Sequence, residues 1–383
     1  MVTVKREVEG ARLRVARVAL HHVRVRLVEP FRISNGSVAE KDSVLVELTT
    51  DRGVTGWGEA APMSGSFYSD DTPDGVWRAL RETLVPLALG EREIDAPHFF
   101  ERLREVPGEA FAKAGLEGAL WDAHARSLGA PLCELLGASA SRPVPSGLAV
   151  GIYDTVGELI ERVERYVAEG YRRVKIKIQP GWDVEPVAAL RARLPRLPLM
   201  VDANAAYALA DAEVFRRLDA YDLMMFEQPL ARGAHADSAE LQRMVKTPVC
   251  ADESADSLVD VEELIERDAA RIVNIKIQRV GGLSEARLML ERVRAAGLGC
   301  WLGTMPELGV ASAQGLHFAA LEGFDYPTDI EASARWFEDD VIEPRITIDR
   351  EGFIRVPTGP GMGYEVSREK VARYGVSSEE FKA

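Results

Sequence analysis

An α/β chain is predicted, an eight-stranded (β/α)8 barrel with an α+β domain preceding it, and three observations predict it. Five ionisable residues, Lys177, Asp202, Glu227, Asp252 and Lys276, recur at steps of 25, 25, 25 and 24 residues. Each closes a short apolar run: RVKIK, LPLMVD, LMMFE, TPVCAD and RIVNIK. A βα unit consumes about this much chain, and the ends of parallel barrel strands are where catalytic groups converge. Finally, the first third of the chain has strands followed by helices, whereas everything after Pro143 alternates strand and helix.

The elements follow in order. From Arg12 to Pro62, LRVARVALHHVRVRL and SVLVELTT are Val-rich and alternating, with DRG supplying a turn before the next strand. From Pro73 to Leu136, DGVWRALRETLVPLAL and EAFAKAGLEGALWDAHARSLG carry apolar residues at helical spacing, and Gly129 with Pro131 ends the second helix. Strands first and helices next make an α+β domain. Eight strands then follow, near SGLAVGI, RVKIKI, LPLMVD, LMMFE, TPVCAD, RIVNIKI, GCWLGT and FDYPTD, with helices such as TVGELIERVERYVAEG between them. Eight βα alternations favour a closed, TIM-like barrel over an open doubly wound sheet. Beyond Val341 the chain turns irregular and strand-like (PRITI, GFIRVP). The expected domains are a capping domain over 1–142, the barrel over 143–340, and a segment over 341–383 that returns to complete the cap.

Composition bounds the function. The 383 residues are 46% hydrophobic and 28% charged, as in an ordinary globular protein with a large core. A formal charge of −14 argues against nucleic acid or an anionic membrane as partner. Cys133, Cys250 and Cys300 are far apart, which excludes a disulfide framework or thiolate zinc site and fits a reducing cytosol. The opening MVTVKREVEGARLRVARV lacks the apolar core of a secretory signal, and no stretch approaches a membrane span. A cytoplasmic location is expected.

At the rim, Lys175 and Lys177 are two apart and share a face, while Val174, Ile176 and Ile178 take the face packed under helices. The lysines then point into the barrel, where an ammonium is costly without carboxylate partners. Asp202, Glu227 and Asp252 supply three hard oxygen ligands with no accompanying His or Cys. That set suits Mg2+, or Mn2+, rather than zinc. Acids that merely cap helices would explain one of the three easily and all three poorly. Lys276, on the sixth strand, stands across the barrel from Lys177. Two lysines on opposite sides of a metal-bound substrate suit removal of a proton α to a carboxylate, the metal stabilising the enediolate. A lysine base must be partly neutral, so burial near other cations is expected to lower its pKa.

The motifs KIK (175–177), DAN (202–204), EQP (227–229), DES (252–254) and KIQRVGG (276–282) resemble the enolase superfamily in its muconate-lactonizing subgroup. VEPFRISNGS, GWGEAAPMSGSFYSDD, PSGLAVGIYD, KIQPGWDVEP and VPTGPGMG are similar to the o-succinylbenzoate synthase/N-acylamino acid racemase family. The resemblance implies that Lys177 and Lys276 are the acid/base pair and that Asp202, Glu227 and Asp252 bind the metal. It makes Lys175, Asn204 and Glu253 supporting residues, and Arg279 a group that tunes Lys276. Lysine bases beside Mg2+ are an established pairing in that superfamily. The resemblance also implies a homo-oligomer, dimer or octamer.

The sequence departs from the family pattern at the end of strand seven, where Gly303-Thr304-Met305-Pro306-Glu307 replaces GGM followed by an aliphatic residue. Thr304 adds bulk and a hydroxyl, Pro306 stiffens the loop, and Ala149 stands where relatives often have serine. Gly303, Thr304, Met305 and the loop residue Tyr68 are therefore candidate substrate contacts. Asp329-Ile330-Glu331 only approximates the DxD of a dipeptide epimerase. The histidines form no ligand pattern, and nothing like GxxxxGK[ST] occurs. The implied activity is syn dehydration by o-succinylbenzoate synthase in menaquinone synthesis, on a small-molecule carboxylate. N-succinylamino acid racemisation and muconate cycloisomerisation are the alternatives on the same machinery. A metal-free Schiff-base aldolase on Lys276 and a non-catalytic binding barrel are readings of other classes.

Overall fold

The computed structural model describes residues 12–65, 68–140 and 142–383. The opening segment 1–11, on which part of the leader argument rests, and Ser66 and Phe67 of the SGSFYSDD loop lie outside the described residues. Two strands of the cap, Val15–Ile33 and Gly36–Thr50, form a long antiparallel hairpin, followed by Thr55–Ala60. Val-Arg-Val-Arg-Leu-Val at 23–28 alternates buried and exposed, as a strand with one solvated face must. Asp51 to Gly53 make the predicted turn, with Gly53 at φ 78° donating its N–H to the Thr50 carbonyl.

Helix Ala110–Leu128 lies on this sheet and ends at Gly129 in the left-handed conformation, as the Gly-x-Pro signal predicts. Its backbone touches the third strand. A Cβ on Gly58 would stand 2.0 Å from the Gly115 carbonyl oxygen, so neither position admits a side chain. The fourth strand of the sheet is the last one in the chain, Gly375–Lys382, paired with Val15–Ile33. The C-terminal segment thus returns to the cap, though not through PRITI, which is no strand. GFIRVP contributes only Phe353–Ile354, paired with Val144–Pro145 where the chain enters the barrel.

Seven parallel strands follow in sequential order: Leu148–Val150, Val174–Lys177, Leu199–Asp202, Phe226–Glu227, Val249–Ala251, Ile272–Ile275 and Gly299–Leu302. FDYPTD takes the eighth place without becoming a ladder strand. Pro327 has no N–H to give, so the ladder is interrupted there and closure rests on two backbone bonds to each side. Gly147 N–H donates to Thr328 O at 2.7 Å on one side, and Asp329 N–H donates to Leu302 O at 3.1 Å on the other. The expected last helix shrinks to four residues, Ser333–Trp336. Outward-facing Val174, Ile176 and Ile178 pack with Leu159, Val163, Val187 and Leu190 of the flanking helices. The barrel floor is Met200, Met225, Cys250, Ile272 and the fully buried Trp301. Among the described residues no helix is long and apolar enough to cross a membrane.

Buried polar groups dock the cap onto the barrel. The Glu59 carboxylate accepts from the N–H groups of Leu308 and Ala311, both at 3.0 Å, capping barrel helix Gly309–Ala319 from the other domain. Gln278 donates to Glu59 O and accepts from Ala61 N–H, and Gln314 donates to Trp57 O and Gly118 O. His317 Nδ1 accepts the Cys133 N–H at 3.1 Å. Each bond satisfies a backbone group that the interface has stripped of water, and losing one leaves its partner unpaired at a cost of about 1–3 kcal/mol.

His317 also makes the docking acid-sensitive. Burial pushes its imidazole down to about 4, from 6.5 when exposed. Between those values the unfolded chain binds the extra proton. The contribution is therefore complete above pH 6.5 and is lost as pH falls toward 4. On the order of 3 kcal/mol is at stake. Urea unfolding midpoints are expected to fall between pH 7 and pH 4.5. His317→Asn keeps an acceptor near Nδ1 without titrating and should flatten that fall; an equally steep decline would refute the assignment.

Candidate active site

Strand register assembles the site. Lys177 pairs with Asp202 and Asp202 with Glu227, while Glu227 pairs with Cys250, which leaves Asp252 two residues further along the same face. One carboxylate oxygen from each of Asp202, Glu227 and Asp252 lies within 4.8 Å of the others, and all three residues are buried. The chain leaves the third and fourth strands through left-handed backbone at non-glycine residues, with φ of 42° at Asn204, 61° at Ala205 and 37° at Gln228. Such conformations are costly and cluster at functional sites. Here Asn204 N–H donates back to Asp202 Oδ1, and Gln228 Oε1 accepts the N–H groups of Asp252 and Ser254.

Cations surround the carboxylates. Lys177 Nζ donates to Asp202 and, at 2.9 Å, to Asn204 Oδ1. Lys175 Nζ stands 3.1 Å from Glu227 and donates to Asp329 at 2.6 Å, 4.8 Å from the Trp301 ring centre. Lys276 Nζ donates to Asp252 and to the Tyr68 hydroxyl, both at 2.8 Å. Arg279 is buried against Asp252 and Asp256 rather than exposed. Glu253 accepts from the Asn204 carboxamide at 2.9 Å.

Three buried carboxylates repel one another. Burial, then the charge of Asp202, raises the Glu227 carboxyl far above its usual range against the pull of Lys175. A divalent cation relieves that repulsion, and three hard oxygens with no nitrogen or sulfur donor fit one. The expected depression of the lysine base is reversed. Burial lowers the Lys276 ammonium, but Asp252, Tyr68 and Glu227 together outweigh it, so the proton is held more tightly than on an exposed lysine. Lys175 shifts upward too, as Asp329, Glu227 and Asp202 together outweigh burial.

A cavity opens at this site, lined by the charged Lys175, Lys177 and Lys276 and by the apolar Phe31, Met63, Met305 and Trp336. Thr304 lines it, but its hydroxyl donates to the Asp329 carbonyl at 3.2 Å, so it offers bulk rather than a free hydroxyl. Gly303 is not at the wall. A Cβ there would stand 2.3 Å from Asn274 Oδ1, so its bareness leaves room for Asn274. Asn274, Gln228, Phe31 and Trp336 escaped sequence reasoning. Asn274 was detectable, because it lies two residues before Lys276 on the same inward face; its carboxamide donates to Glu227 at 2.8 Å. Asp329 has both oxygens occupied, by Arg173 and Lys175, and does not present a free acid to a substrate ammonium.

Closed barrels with charged groups gathered at the C-terminal rim are, as a class, enzymes. The model "Enolase C-terminal domain-like" matches residues 158–371, and "Mandelate racemase / muconate lactonizing enzyme, N-terminal domain" matches 15–137. A Geobacillus kaustophilus protein named o-succinylbenzoate synthase is 43% identical over 93% of this chain and 95% of its own. An Amycolatopsis protein named N-succinylamino acid racemase is 40% identical over 92% and 95%. The crystal structure of an enolase-superfamily member from Listeria innocua superposes with a TM-score of 0.92 at 34% identity, covering 97% of this chain and 99% of that one. The chain belongs to the enolase superfamily, in its mandelate racemase/muconate lactonizing branch.

The Asn274 side chain reaches the metal site through Glu227. Asn274→Ala should weaken divalent-metal binding by about 10–100-fold with the fold retained, read by isothermal titration with Mg2+ or Mn2+. Unchanged affinity would show that Glu227 needs no such support.

Proposed function

We propose that the protein is a Mg2+-dependent enzyme, with Mn2+ able to substitute, that removes the proton α to a carboxylate. Its leading activity is o-succinylbenzoate synthesis by syn dehydration. The observation that carries this is the placement of Lys177 and Lys276, from strands two and six, on one cavity above three converging carboxylates. Asp202, Glu227 and Asp252 would hold the metal, which supplies Lewis-acid stabilisation of the charge a carboxylate gains when its α proton leaves. Lys175, beneath the cavity and backed by Asp329, adds fixed positive charge at the same end. Lys177 takes the α proton and, as the resulting ammonium, returns a proton to the departing hydroxide on the same face, so that water leaves and a double bond forms. Lys276 stays protonated, held by Asp252 and Tyr68, and balances charge from the other face.

A second reading, N-succinylamino acid racemisation, draws support from the same two lysines and from the name of the Amycolatopsis relative. One lysine removes the proton and the other delivers one to the opposite face. The acyl or ring portion of the substrate would lie against Phe31, Met63, Met305 and Trp336. A cytoplasmic setting is part of the proposal, supported by three buried, unpaired cysteines. Family resemblance adds homo-oligomeric assembly.

The test is a side-by-side assay of the dehydration substrate, N-succinylamino acids and muconolactone with Mg2+. Turnover should vanish in EDTA and in Asp202→Asn, and full activity of that variant would refute the metal assignment. Lys177→Ala should lower kcat by about 10²–10⁴ in both dehydration and racemisation. Lys276→Ala should retain α-proton exchange with D2O for one enantiomer only; exchange of both would end the two-base model.

A further inference from the structure

A buried ionic network lies outside the metal site and the lysines. The long cap hairpin changes register on its way over the barrel mouth. Arg26 pairs with Glu40 but Phe31 with Val38, so Leu27 to Pro30 bulge against a single residue. From this bulge the hairpin tip reaches onto the barrel, where Ile152 N–H donates to Arg32 O and Ser34 donates to Ala203 O. Glu29 sits in the bulge and turns its carboxylate onto helix Val156–Glu169 and the loop before it. One oxygen accepts from the hydroxyls of Tyr153 at 3.1 Å and Tyr166 at 3.2 Å, and Arg335 and Arg162 stand 3.7 and 3.4 Å away.

Arg335 carries the connection onward. It is buried between the rings of Tyr166 and Trp336, at 4.8 and 4.4 Å, and donates to the Ala149 carbonyl at 3.1 Å. Its other partner, Glu331, accepts the Ala149 N–H at 2.6 Å. Ala149, Trp336 and Phe31 are walls of the cavity, and Phe31 meets Trp336 edge-on at 5.0 Å. One charge network thus ties three wall residues from three chain segments to a single cap carboxylate.

We propose that Glu29 is a positioning residue: its docking onto Tyr153, Tyr166 and Arg335 holds the Leu27–Ile33 bulge closed and sets the wall formed by Phe31, Trp336 and Ala149, and so selects the non-reacting half of the substrate. The physical basis is asymmetry. With the bulge lifted, Arg335 remains buried with only Glu331 as acid partner, so the closed state gains a charge-assisted set of bonds that the open one lacks. The inference rests on the proposed activity only for which substrate fills the wall.

The test uses the full-length, Mg2+-loaded protein. In Glu29→Ala, amide hydrogen exchange of Leu27–Ile33 should quicken at least tenfold, and KM should rise about tenfold with kcat within twofold. Glu29→Gln, which can still accept from the tyrosines, should show a smaller effect on both. Should Glu29→Ala fold poorly, the Tyr153→Phe/Tyr166→Phe pair removes two donors without emptying space and should quicken the same amides. Unchanged exchange in these variants overturns the proposal, as does a fall in kcat with KM intact. Exchange is read without substrate, so failure of turnover on the dehydration substrate would sink the proposed activity alone, and the KM comparison would move to whichever carboxylate turns over.

Discussion

The structure depends on burying three carboxylates at one level of a closed barrel. An isolated buried charge is prohibitively expensive, and an ion pair repays the cost only with good geometry and every remaining polar atom satisfied. That demand explains the density of the rim. Lys175, Lys177, Lys276 and Arg279 neutralise, the Asn204 N–H and the Asn274 carboxamide donate to Asp202 and Glu227, Gln228 holds the backbone at Asp252 and Ser254, and Asp329 with Arg173 stands behind Lys175. Strand register makes this possible, because a one-residue slip in any strand would turn its charged residue into the apolar layer under the helices. The left-handed turns at Asn204 and Gln228 belong to the same design: the chain tolerates strained backbone just past two of the carboxylates because their neighbours hold it there.

The cap supplies what the barrel cannot. A barrel rim alone is open to water, which would weaken every charge interaction in the site. Glu59, Gln278 and Gln314 dock the cap sheet rigidly near strands six and seven, while the long hairpin spans to strands one and three through Arg32 and Ser34. Tyr68 then reaches Lys276 and Asp252 from one side and Phe31 meets Trp336 on the other. The reactive floor belongs to the barrel, while the wall above it is shared, Phe31 and Met63 coming from the cap and Met305 and Trp336 from the barrel.

The barrel was legible because its signals repeat. Seven of the eight predicted strands lie where apolar runs end in a charged residue or a turn, and both lysines of KIK point inward as alternation requires. The failures are local. FDYPTD reads as a strand, yet Pro327 breaks its ladder; PRITI reads as a strand but pairs with no strand among the described residues, Ile346 bonding only to Ser333. Thr304 was expected to offer a hydroxyl, which the Asp329 carbonyl takes. Lys276 holds its proton against burial because Asp252 ends up 2.8 Å away, a fact of packing.

By itself, the sequence determined the alternation of strand and helix, the inward face of each strand and the residue types at the rim, since periodicity and spacing are properties of the chain. Only the tertiary structure decided which of those charges pair. It buried Arg279, spent Asp329 on Lys175 and Arg173, and joined Glu29 to Arg335 across 306 positions. Such partnerships form between segments that share no local pattern, and they are selected by the cost of leaving a buried charge alone.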